Sequence, residues 1–272
     1  MMIEKYNQRA KKINSLLCVG LDSDFEKIPG KFKELEYPQF EFNKWIIGET
    51  NEYAASFKLN SAFYEARGDQ GIKELKMTMD YLAENNPDIF TILDAKRADI
   101  GNTNNGYVSY AFDWLGFDAI TLHPYLGEEA LSPFLERSDK GLIILCRTSN
   151  LGASEFQDLV VEGLPAGEAG KPIWQIVAER VSEVWNKNHN CMLVVGATYL
   201  EEMKKIRGIA GDMTFLVPGI GAQGGDLESV IKAGLNSEGL GLIIHSARGI
   251  IFSESPKEEA KKLCGEIRKY KV

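Results

Sequence analysis

The sequence predicts an α/β protein folded as one closed (β/α)8 barrel of the TIM type, and three observations predict it. Eight short apolar segments, rich in Val, Ile and Leu, alternate with segments of helical periodicity along 272 residues. Such a rhythm means parallel strands joined by helical crossovers and covered on both faces, and eight units in about 250 residues suit a closed barrel. Charged and glycine-rich residues also sit at the C-terminal ends of those segments, where barrels place their chemistry.

Residues 1–14 read as a polar lead-in helix, and SLLCVGLD (15–22) as a buried strand ending in Asp22. A long Pro-, Gly- and Lys-rich loop covers 23–38. Helical periodicity over 40–53 leads into AASFKLN (54–60), a strand that sets Lys58 and Asn60 on one face. Ile72, Leu75, Met79 and Leu82 form one stripe on a helix over 69–85, which reads as core. The third strand starts at Ile89. Helices near 103–115 and 127–136 flank the strand DAITLHP (118–124), and GLIILCRT (141–148) is the fifth strand.

Residues 149–170 are Gly-rich, acidic and poorly periodic, either a lid over a site or a surface excursion. Alternation resumes with a helix from 171, the strand CMLVVGAT (191–198) and a helix over 199–207. TFLVPGIGAQGG (214–225) is a strand with a glycine turn, followed by a helix over 226–233, the strand GLGLIIHSA (239–247) and a closing helix over 256–271. No linker or low-complexity tract divides the chain. It is read as a single domain over 1–272, with the lead-in helix and an insertion at about 149–170.

An apolar fraction of 44% is enough for a full core. The 31 basic and 39 acidic residues give a net charge of −8, with no basic stretch dense enough to track a nucleic-acid backbone, so nucleic acid is not expected as a partner. Cys18, Cys146, Cys191 and Cys264 form no CxxC pair and read as reduced core thiols. No apolar run approaches the roughly 18 residues of a spanning helix, and the charged N-terminus does not read as a signal peptide. A cytoplasmic protein without a membrane partner is expected.

The stretch IFTILDAKRADIGNT (89–103) carries the chemistry. Strand alternation puts Asp94 and Lys96 on one face, so an acid and a base point together off one strand end, with Asp99 three residues further on. An exposed ion pair would be worth little, but this pair ends a strand that reads as buried. Lys58 repeats the arrangement on the second strand.

The turn from Pro218 to Gly225 contains a GxGxxG match. A dinucleotide site would want it after the first strand, whereas here it follows the seventh. Glycine turns after strands seven and eight are where barrels hold phosphate, and Arg248, just past the eighth, adds a permanent two-pronged charge. His123, His189 and His245 match no zinc spacing and are expected to be structural.

LDAKRADIGNT, with VGLD upstream, FKLN between, and VPGIGAQGG and SAR downstream, resembles the orotidine 5′-phosphate decarboxylase family in its longer form, over about residues 15–252. The resemblance implies a barrel that dimerises with its active sites at the interface. It implies conversion of orotidine 5′-monophosphate to UMP and CO2, with no metal and no organic cofactor. The family's alternating Lys-Asp-Lys-Asp array maps onto Lys58, Asp94, Lys96 and Asp99, the last reaching into the partner subunit's site. By the same matching, Asp22 and Thr103 would hold ribose hydroxyls, Ser149 the pyrimidine, and Gln223 and Arg248 the phosphate, with Asn60 and Pro218 also counted among the substrate-binding residues. Residues 151–170 fall outside the compact family pattern. Three rivals stand beside this reading: a Mg²⁺-dependent decarboxylase of sugar-acid phosphates sharing DxKxxD, a Schiff-base aldolase using Lys96, and a phosphosugar-binding barrel without turnover.

Overall fold

A computed structural model describes residues 2–162, 169–220 and 225–271. Ten strands lie among them: Leu17–Gly20 (β1), Ser56–Asn60 (β2), Phe90–Arg97 (β3), Ala119–Leu122 (β4), Gly141–Arg147 (β5), Val160–Val161 (β6), Lys171–Pro172 (β7), Cys191–Val195 (β8), Phe215–Val217 (β9) and Leu242–Ser246 (β10). All but β6 and β7 close into one barrel, in the order β1-β10-β9-β8-β5-β4-β3-β2. Every neighbouring pair in it is parallel, and β1 pairs with both β2 and β10. Each predicted strand segment contains its observed strand except the third, whose apolar run stops at Leu93 while β3 continues to Arg97. The runs are legible because a parallel strand buried on both faces is apolar throughout.

Helices cover the outside. Gly68–Asn85 buries Leu75, Met79 and Leu82, as the stripe requires, while Ile72 stays half-buried at its edge. Burying each such side chain stabilises the fold by roughly 1.5–3 kcal/mol. The lead-in helix, Met2–Lys12, closes the N-terminal mouth of the barrel. Its Tyr6 is fully buried, packs edge-on against Phe90 and donates its hydroxyl to the Leu242 carbonyl at 2.5 Å. Lys5 reaches Asp118 at 2.7 Å, and Asp118 in turn accepts the Thr91 N–H at 2.9 Å. This end of the barrel is thus tied shut, and the chemistry is left to the other.

Three expectations change. The loop expected over 23–38 contains the short helical turns Phe25–Lys27 and Gly30–Lys33. The helix expected near 103–115 is Thr103–Val108 followed by a wider π-type turn over Ser109–Trp114. Lys171 and Pro172 do not begin a helix; they pair antiparallel with Val161 and Val160, and the helix starts at Ile173, because the proline ring disfavours a helical backbone at Lys171 and Pro172 is itself extended. At the end of β5, Arg147 holds the residues that follow as far as Asp158. This side chain is 1% exposed, stacks 3.6 Å above the Tyr199 ring centroid and bonds Asp158 at 3.0 Å. All four cysteines are free and buried, and among the described residues no helix is long and apolar enough to cross a membrane.

Candidate active site

The site begins where β3 stops being regular. Up to Leu93 the strand pairs with β4 residue for residue; between Leu93 and Arg97 the register shifts. Lys96 sits in that irregularity with φ +47°, a left-handed conformation unusual for a residue with a side chain. Plain strand alternation is therefore not what unites Asp94 and Lys96. The kinked backbone returns the Lys96 ammonium to 2.6 Å from Asp94 Oδ1. Thr121 on β4 braces the kink, its hydroxyl accepting the Lys96 backbone N–H at 2.9 Å and donating to Asp94 Oδ1 at 2.9 Å.

On the neighbouring strand β2, Lys58 lies opposite Ile92, two places before the Asn60–Asp94 pair. Its ammonium is 2.9 Å from Asp94 Oδ2 and 3.2 Å from Asp22 Oδ1. Asp94 thus receives a lysine on each oxygen. The Lys58 side chain is only 3% exposed and that of Asp94 10%, whereas Lys96 is 50% exposed and faces the open end of the barrel. Burial alone would raise the Asp94 pKa, but Lys58 and Lys96 outweigh it and hold the carboxyl well below its ordinary range. Burial likewise opposes the Lys58 ammonium, yet Asp22 and Asp94 overcome it and push its pKa above the ordinary lysine value. Asp94 and Lys58 are therefore both charged at neutral pH.

Asp22 joins this cluster to a cleft of about 560 Å³, whose walls include Pro218, Gly219, His245 and Arg248. Gly219 has φ +100°, a conformation open to glycine, and its carbonyl accepts the Gly225 N–H at 3.2 Å. Arg248 is exposed and heads the short helix Arg248–Ile251 at the cleft. His245 presses its Nε2 against Gly20, enclosed and without a hydrogen-bond partner among the described residues. Burial first, and the nearby Lys58 charge second, push its pKa down to about 3, so the imidazole is neutral.

The structure gathers Asp22, Lys58, Asp94 and Lys96 into one cluster and sets Pro218 and Arg248 around the adjoining cleft. Other predicted residues stand apart. Asn60 does not join Lys58; its Oδ1 accepts the Ala62 N–H at 3.2 Å and starts the next helix. The Asp99 carboxylate accepts the neighbouring Ile100 N–H at 2.7 Å, and Asn104 brackets its backbone. Thr103 is exposed and lines a separate cavity with Glu65, Arg97 and Tyr107. Ser149 packs on the backbone of Gly196, where an added Cβ would lie 2.8 Å from the serine Cβ. Gln223 lies outside the described residues.

Two residues escaped the sequence reading. Thr121 sits mid-run in DAITLHP and looks like any β-branched strand residue. Arg147, near the end of GLIILCRT, reads as a surface charge; a cation so close behind six residues of apolar or small character was the available signal.

A closed parallel barrel whose strand ends gather alternating ammonium and carboxylate groups beside a glycine-turn cleft defines an enzyme of the (β/α)8 class. The model of the Orotidine 5'-phosphate decarboxylase / HUMPS family matches residues 15–263. Curated relatives named orotidine 5′-phosphate decarboxylase include one from Cellvibrio japonicus, 43% identical over 95% of this chain and 92% of its own, and one from Flavobacterium johnsoniae, 44% identical over 98% and 97%. The solved structure of Leishmania donovani OMP decarboxylase superposes with a TM-score of 0.87 at 37% identity, covering 99% of this chain and 98% of that one. The chain belongs to the orotidine 5′-phosphate decarboxylase / HUMPS family of enzymes. The resemblance carried by five short motifs therefore extends over the whole barrel.

Proposed function

We propose that this protein decarboxylates orotidine 5′-monophosphate to UMP and CO2, the last step of UMP biosynthesis, as a cytoplasmic homodimer. The observation that carries the reading is Asp94 held ionised between the ammonium groups of Lys58 and Lys96 at the open end of the barrel. Names borne by relatives more than 40% identical support it.

Losing CO2 from C6 of the pyrimidine leaves a carbanion whose charge has no ring π-system to spread into. Catalysis must therefore stabilise localised negative charge, and a fixed ammonium does so. Lys96 attracts that charge and then donates the proton that replaces the carboxylate. Asp94 faces the substrate carboxylate; two unit charges about 4 Å apart at an effective dielectric of about 20 repel by roughly 4 kcal/mol, a stress relieved as CO2 departs. Lys58 compensates Asp94 and keeps it in place, since a buried carboxylate without a partner is costly. The positive charge comes from lysine, so the step calls for neither a metal nor an organic cofactor.

Arg248 and Gln223 are assigned to the phosphate, Asp22 and Thr103 to ribose hydroxyls and Ser149 to the pyrimidine, with Asn60 and Pro218 counted among the substrate-binding residues. Asp99 is assigned to the partner's site. Binding energy from the remote phosphate serves to fix the base beside Lys96. The whole of 1–272 acts as one barrel domain, with an insertion at about 149–170. Orotidine 5′-monophosphate added to the protein in EDTA tests this through the ultraviolet change of the pyrimidine. Loss of substrate with release of UMP supports the reading; inertness there, with Mg²⁺-dependent turnover of a sugar-acid phosphate, refutes it.

A further inference from the structure

We infer that Thr121 is a positioning residue for the proton-donating lysine, an assignment that rests on the decarboxylase reading of this site. Its hydroxyl offers one donor and two acceptor lone pairs. A backbone N–H can only donate, so Thr121 Oγ1 must accept the Lys96 N–H at 2.9 Å, and the hydroxyl proton is left to point at Asp94 Oδ1, also 2.9 Å away. Thr121 is fully buried, out of contact with bulk solvent. The direction of both bonds is thereby fixed.

Two consequences follow for the chemistry. Lys96 holds φ +47° where β3 loses register with β4, a conformation that persists only when its surroundings enforce it. Thr121 supplies that enforcement through the lysine's own N–H, so the base of the half-exposed side chain is anchored and only its end needs to swing from Asp94 toward a ligand. Asp94 Oδ1 shares its lone pairs between the Lys96 ammonium at 2.6 Å and the Thr121 hydroxyl. As Lys96 turns to the developing carbanion and gives up a proton, Thr121 keeps Oδ1 hydrogen-bonded while Lys58 stays on Oδ2, so neither oxygen of the buried carboxylate is left without a partner. The proton moves from Lys96 Nζ to C6, leaving a neutral amine that solvent reprotonates; Thr121 exchanges no proton in the step. A buried threonine that only filled space would need neither bond.

Thr121→Val keeps the shape and removes both bonds, whereas Thr121→Ser keeps the hydroxyl. For orotidine 5′-monophosphate the expected result is kcat lower by about 10- to 100-fold in Thr121→Val, with KM within about twofold, and most of the loss recovered in Thr121→Ser. Hydrogen exchange at the Lys96 amide supplies a readout independent of turnover. It should accelerate at least about tenfold in Thr121→Val and stay near the wild-type rate in Thr121→Ser. Wild-type kcat in Thr121→Val, or unchanged Lys96 amide protection, overturns the assignment. Should Thr121→Val not fold, Thr121→Ala carries the same two losses and the same expectations. A wild-type protein that does not turn the substrate over refutes the decarboxylase reading by itself, and the amide measurement still decides whether Thr121 anchors Lys96.

Discussion

Lys58 places its ammonium 2.9 Å from Asp94 Oδ2 at a depth where only 3% of its side chain meets solvent. Each is costly to bury, and removing either leaves the other with one counter-charge in place of two, Lys96 for Asp94 and Asp22 for Lys58. The pairing therefore ties catalytic geometry to folding stability.

Acid should expose that tie. Folded Asp94 titrates below its ordinary value of 3.8, so its contribution to stability is complete above that pH and lost as pH falls beneath it. Lys58 titrates above its ordinary 10.5, so its contribution is complete below that pH and lost as pH rises past it. Urea unfolding of the wild type and Asp94→Asn between about pH 3 and pH 6 should show a gap that narrows on acidification. A gap independent of pH would contradict the pairing.

At the cleft, Arg248 is exposed on a short helix and holds no part of the core. Arg248→Ala should leave melting temperature and kcat nearly unchanged while raising KM for orotidine 5′-monophosphate by about 10- to 100-fold. A variant that loses kcat at unchanged KM would move Arg248 from binding to chemistry.

Gly20 and His245 are matched in shape. A Cβ on residue 20 would overlap His245 Nε2 and stand 2.6 Å from Ala247 Cβ. Gly20→Ala should lower stability by about 1–3 kcal/mol, and adding His245→Ala should restore part of it, since Ala247 still crowds the position. His245 also predicts a slope with pH. Its folded pKa lies at about 3 against an ordinary 6.5, so the stability of keeping it neutral is complete above 6.5 and declines as pH falls below. Equal thermal stability of Gly20→Ala and wild type would show that the barrel relaxes around this contact.

What the sequence revealed, and what it hid, divides along physical lines. Buried parallel strands are near-continuous apolar runs, so all eight barrel strands were visible, and Asp22, Lys58, Asp94 and Lys96 stood out as charges at their ends. Roles set by backbone geometry were not visible. The left-handed turn at Lys96 and the brace from Thr121 depend on a register shift between β3 and β4 that no local pattern encodes. Asn60 shows the converse, because strand alternation sets it beside Lys58 while its amide oxygen is taken by the next helix's first turn. Arg147 reads as a surface charge until Asp158 and Tyr199, distant from one another in sequence, close over it.

The central claim is that Lys96 supplies both the stabilising charge and the proton. Single-turnover decarboxylation of orotidine 5′-monophosphate by Lys96→Ala, beside the wild type and with UMP binding measured on both, tests it most directly. The account predicts that the variant folds and binds UMP yet shows no decarboxylation above background. A Lys96→Ala protein with near-wild-type turnover would contradict it.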